Sequence, residues 1–73
     1  MDAHTRGITL KAYFKEMRDR LEQATSIAKA AEACAESGGA QKATEVALDI
    51  EQLIYQVNTL LNACSMINRI GKS

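Results

Sequence analysis

Proline and tryptophan are missing from the sequence, phenylalanine and histidine occur once each, and glycine occurs only four times. Without proline, nothing in the chain forbids long uninterrupted helices. A single histidine, His4, rules out the Glu-x-x-His carboxylate–metal bundle, which needs more than one such motif. It also leaves neither cysteine with a nearby histidine for nucleophilic catalysis. Cys34 and Cys64 are too few for a disulfide framework and are not spaced as zinc ligands. Net charge is zero, so there is no general attraction toward nucleic acid or anionic lipid. No run approaches the ~20 apolar residues that cross a bilayer, and "MDAHTRGITLKAYF" has no apolar stretch of signal-peptide length. The expectation is a cytoplasmic, non-enzymatic protein with reduced cysteines, needing no cofactor or metal and meeting no membrane.

Alanine and periodicity fill the space. Twelve alanines stand among 73 residues, a composition that favours helix. The pair Gly38–Gly39 in "ESGGAQ" marks a turn near the midpoint. On either side the apolar residues recur at helical spacing. In the first half Leu10, Phe14, Met17, Leu21, Ala24, Ala28, Ala31 and Ala35 make an unbroken heptad seam. Tyr13, Ile27 and Cys34 widen it on one flank. Thr9 can cap its start. In the second half two seams run side by side. Val46, Ile50, Leu53, Val57, Leu60, Cys64 and Ile67 form one; Ala43, Ala47, Ile50, Ile54, Val57, Leu61 and Cys64 form the other. Leu48 and Tyr55 fall outside both, and Met66 lies beyond the edge of the stripe. The fold expected is all-α: a flexible tail over 1–8, helix 1 over about 9–37, a turn at 38–39, helix 2 over about 40–70 and a short tail at 71–73. Together, 9–70 make one antiparallel helical-hairpin domain.

Residues 52–68, "QLIYQVNTLLNACSMIN", contain no charge at all. Two helices of about thirty residues, each roughly 45 Å long, cover only one flank of each other. The second carries more apolar surface than the first can hide. Neutral amides such as Gln52, Gln56, Asn58 and Asn62 avoid the desolvation cost of charge beside a second packing partner. These features predict an antiparallel homodimer, a four-helix bundle. Its expected interface is Val46, Ile50, Leu53, Ile54, Val57, Leu60, Leu61, Cys64 and Ile67 with Phe14, Met17 and Leu21. Small seam residues near the turn and large ones near the free ends favour stacking the two hairpins in opposite directions. Charge is graded too: residues 1–22 with 66–73 hold seven basic and four acidic groups, while 23–65 hold two basic and five acidic. Cys34 and Cys64 read as small buried hydrophobes, with an intersubunit disulfide as the alternative.

Other constellations have plain readings. Glu32/Glu36 and Glu45/Asp49 are i, i+4 carboxylate pairs on a solvated surface. "GGAQKAT" lacks the spacing of a phosphate-binding loop and reads as a helix start. Lys11, Lys15, Arg18 and Arg69 form a basic patch that could meet nucleic-acid phosphates, although Glu16, Asp19 and Glu22 interrupt it.

In size and plan the hairpin is similar to the small hairpin co-chaperones of bacterial type III secretion. That likeness implies a protein-interaction module: an adaptor, chaperone or sequestering regulator that pairs with itself or takes a helical segment of another protein into its groove. The plan also resembles the Rop type of plasmid copy-number regulator, which implies an RNA-binding four-helix dimer as the alternative. Hairpin secretion-needle proteins share it as well, implying a structural or filament subunit.

Overall fold

The computed structural model describes residues 2–72, with the side chain of Lys72 excepted; Met1 and Ser73 lie outside the described residues. Three helical segments follow one another: α1, Ala3–Glu36; α2, Ala40–Ala47; and α3, Asp49–Lys72. They build an antiparallel hairpin of 54 × 14 × 11 Å. Its long dimension matches the roughly 51 Å expected of a 34-residue helix.

The start of α1 lies upstream of the expected Thr9. Asp2, in extended conformation, caps the helix by accepting a hydrogen bond from the Thr5 amide at 2.7 Å. Thr9 donates instead to the Thr5 carbonyl one turn back, at 2.9 Å. A threonine hydroxyl can serve either purpose, and an aspartate already occupies the cap. Residues 3–8, expected as a tail, are therefore the first turns of α1, and His4 sits there exposed. At the other end α3 runs on through Gly71 to Lys72.

Glycine makes the turn. Gly38 has φ +93°, a left-handed conformation that costs an L-residue roughly 1–2 kcal/mol. Its amide reaches the Ala35 carbonyl, and that of Gly39 reaches back to Cys34, each at 3.0 Å. This pair of bonds satisfies carbonyls left free at a helix end. Gly39 suits the turn for a different reason, close approach: a Cβ there would stand 3.0 Å from the Cys34 sulfur and 3.2 Å from its carbonyl oxygen.

The second rod, expected as one helix, is interrupted at Leu48. The backbone there stays helical (φ −61°, ψ −25°), and the Glu51 amide bonds to the Leu48 carbonyl three residues back. That is the tighter 3₁₀ pattern. Asp49 and Glu51 occupy the first turn of α3, where negative charge suits the helix dipole.

Two contacts fix the register. Arg20 Nε donates to Gln56 Oε1 at 2.9 Å across the hairpin, and the Arg6 side chain lies against Gly71. By that register Phe14 stands level with Leu61, Leu21 with Ile54, and Ala28 with Ala47, to within about a residue's rise of 1.5 Å.

Candidate self-association face

The buried and half-buried positions show which way each helix faces. On α1 they include Leu10, Tyr13, Met17, Arg20, Ala24, Ile27, Ala31 and Cys34, with Arg6, Thr9 and Asp19 also half-buried. On the second rod they include Ala43, Val46, Ile50, Leu53, Val57, Leu60, Cys64 and Ile67. The named residues of each set repeat at 3 and 4 residues, the spacing of one seam directed at the other helix.

For the second rod this seam is the first of the two expected. For α1 it is turned by one position toward Tyr13, Ile27 and Cys34, while Phe14, Leu21, Ala28 and Ala35 are exposed. The apolar stripe of α1 is three positions wide and a single neighbour covers two. Tyr13 and Ile27 offer more area than Ala28 and Ala35, which favours the observed choice.

Arg20 completes the seam. It occupies the heptad position shared by Tyr13 and Ile27 and is half-buried there. There it pairs with Glu16 and bonds to Gln56. Arg20 was not expected in the packing, and Gln56 was expected only as a neutral amide beside a second partner. The available signal was periodic: Arg20 lies seven residues from both Tyr13 and Ile27.

The twelve residues expected at the dimer interface thus divide in two. Met17, Val46, Ile50, Leu53, Val57, Leu60, Cys64 and Ile67 are buried or half-buried in the hairpin's own seam. Phe14, Leu21, Ile54 and Leu61 are 52, 45, 41 and 52% exposed. In an antiparallel helix pair, the positions following the seam on one helix flank the same side as the equivalent positions on the other. Phe14, Leu21, Ala28 and Ala35 therefore share one broad face with Ala47, Ile54 and Leu61. The opposite side carries Glu16, Gln23, Asp49 and Gln56. Two shallow grooves mark the apolar face. One, of about 600 Å³, runs along Phe14, Met17, Leu21 and Thr25, and Arg18, Glu22 and Ser26 also line it. The other, of about 570 Å³, runs along Ala47, Ile50, Ile54 and Tyr55.

The hairpin's interior is slight. Among the described residues the buried set is Ala24, Ala43 and Cys64, and no side chain is fully buried.

The expected basic patch is drawn together in part. Lys11, Lys15 and Arg18 surround Phe14 on α1. Lys15 pairs with Asp19 at 3.2 Å and Arg18 with Glu22 at 3.8 Å, all well exposed. Arg69 is exposed on α3. Cys34 is half-buried beside the turn, where its thiol donates to the Gly39 carbonyl at 3.5 Å, and Cys64 is buried toward the open end. Both thiols are free and both belong to the seam rather than to the exposed face. Among the described residues no group of three His, Cys, Asp or Glu side chains is placed to hold a metal ion. No helix is long and apolar enough to cross a membrane.

Compared with protein-family models, with curated proteins and with solved structures, the chain matches none.

Proposed function

We propose that this chain is a small, non-enzymatic protein-interaction module that works through self-association of its hairpin. The observation that carries the reading is an imbalance. Among the described residues two alanines and a cysteine are all that is buried, while Phe14, Leu21, Leu61 and Tyr55 each keep close to half or more of their surface in water. A compact monomer of this mass exposes about 4,450 Å² by the usual scaling with molecular weight. The hairpin exposes 5396 Å². The surplus, about 950 Å², is close to the ~800 Å² that each partner contributes to an ordinary stable interface. Among the described residues, four of the nine large apolar side chains left exposed, Phe14, Leu21, Ile54 and Leu61, share one face and form a continuous stripe of the kind that marks a contact. Ile8, Leu48, Tyr55, Met66 and Ile70 are exposed elsewhere, as single apolar residues on a surface commonly are.

Sedimentation equilibrium at micromolar concentration is the test. Twice the chain mass, with helicity that falls on dilution, is the expected result. A stable, fully helical monomer would remove the reading.

A second reading, an RNA-binding regulator, draws on Lys11, Lys15 and Arg18 around Phe14. Asp19 and Glu22 offset two of those cations. Binding to a structured RNA that weakens steeply with added salt would favour this reading. Growth beyond a dimer in light scattering would instead favour a filament subunit.

A further inference from the structure

The exposed face is graded along its length, and the grading carries information about orientation. On α1 it runs Phe14, Leu21, Ala28; on the second rod, read in the same direction from the open end, it runs Leu61, Ile54, Ala47. Both rows fall from large to small toward the turn, and the register sets the rows side by side. The face is a wedge, thick at the open end and thin near the glycines.

Resting on the self-association reading, we infer that the occupant of this face is a second copy of the same chain. It lies with its turn over the first copy's open end, about a two-fold axis through the Leu21/Ile54 layer. With that axis Phe14 of one copy meets Ala28 of the other, Leu61 meets Ala47, and the Leu21 and Ile54 side chains meet their own counterparts. The layers between Phe14 and Ala28 then hold either two large residues with two alanines or four of middle size, the alternation that fills an interhelical space evenly, while Ala35 meets the small Gly7 beyond them. The other arrangement, with both open ends together, puts two Phe14 and two Leu61 in one layer and four alanines in another. That stacking is overfilled at one end and hollow at the other, and both faults are destabilising.

Charge at the rim points the same way. Lys11 and Glu32 border the face at opposite ends of α1. The inferred axis sets α1 against α1, so Lys11 of each copy comes level with Glu32 of the other. Exposed pairs of this kind add little energy, but they discriminate between orientations.

Zero-length carbodiimide cross-linking of the native chain tests the orientation directly. Lys11 and Glu32 lie roughly 30 Å apart along one rigid helix, so a Lys11–Glu32 link can only join two copies. That link is expected. Interchain links forming elsewhere, with this one missing, would overturn the orientation.

A spin label at Glu36→Cys, in a Cys34→Ser, Cys64→Ala background of confirmed helicity and dimer mass, gives an independent reading. The expected label-to-label distance is about 40–45 Å. A distance under about 20 Å in a confirmed dimer overturns the orientation and leaves self-association standing. A monomer in sedimentation of the unmodified chain overturns both.

Discussion

The two long sides of the hairpin flank the same seam yet have opposite character. One side carries Phe14, Leu21, Ile54 and Leu61; the other carries Glu16, Gln23, Asp49 and Gln56, with Arg20 reaching across it to Gln56. On the polar side Arg20 pairs with Glu16 and donates to Gln56 within the chain. The apolar side is open. A helix pair that functioned alone would have no reason to treat its two sides so differently, since water meets both. If the proposed self-association uses the open side, stability and association fall to separate sets of residues, and substitutions can separate them.

The largest effect is expected inside the seam, where both sides depend on the same contact. Val57→Asp puts a charge without a partner between the helices, at a cost of about 3 kcal/mol or more. One small core supplies only about 3–5 kcal/mol. The variant should lose most of its helicity by circular dichroism at every concentration, and retention of full helicity would show that the seam is misplaced.

Ile54→Asp moves the same charge to the apolar side. Here the dimer should suffer first, with dissociation strengthened by about 100-fold, or ~2.7 kcal/mol. Because folding is then linked to association, helicity should depend on protein concentration. Gln23→Asp, on the polar side, serves as the contrast and should leave the dimer within about 3-fold of the original. Equal effects at Ile54 and Gln23 would abolish the distinction between the sides.

How much of this was legible in the sequence depends on which physical signal was read. Heptad spacing is strong over thirty residues, so the hairpin and its turn at Gly38–Gly39 could be read directly. Gly38 does take the left-handed conformation that the glycine pair implied. The ends of α1 were harder, because Asp2 and Thr9 are both competent caps and only the chain's path chooses between them. The facing of α1 was harder still. A stripe three positions wide contains two possible seams, and the choice turns on the packing of Tyr13 and Ile27 and on Arg20's reach to Gln56. No window of local sequence records that. For the same reason Phe14 and Leu21 were grouped correctly as apolar but with Met17, which the hairpin uses for itself. The break at Leu48 has no glycine or proline to announce it.

Gly38→Ala probes a smaller term that both sides share. The left-handed φ strains any residue with a Cβ, so a loss of about 1 kcal/mol is expected. Urea denaturation at a fixed concentration measures it. Nothing lies within 4 Å of where that Cβ would stand, so the loss is one of backbone conformation rather than a clash. Orientation of the dimer should not change, and the Lys11–Glu32 cross-link should persist. If the link disappeared with Gly38→Ala, the turn itself would be part of the interface and the two-sided description too simple.

The smallest effect belongs to the free end of α1, beyond either side. Asp2 is fully exposed, and its carboxyl is held below the ordinary aspartate value by the hydrogen bond it accepts from the Thr5 amide. A carboxylate whose pKa is lower folded than unfolded stabilises the folded form above the unfolded value, near 3.9. That contribution is lost as pH falls through the lower, folded value. Acid should therefore fray the first turn while the seam, which buries no titrating carboxylate, stays closed. Amide exchange should show it: Thr5 protection, relative to the intrinsic rate at each pH, should decline on acidification, whereas that of Val57 should not. Asp2→Asn, which keeps a capping oxygen but cannot titrate, should remove the pH dependence of Thr5. If both amides lost protection together in the wild type, the end of α1 would be coupled to the whole hairpin instead of fraying by itself.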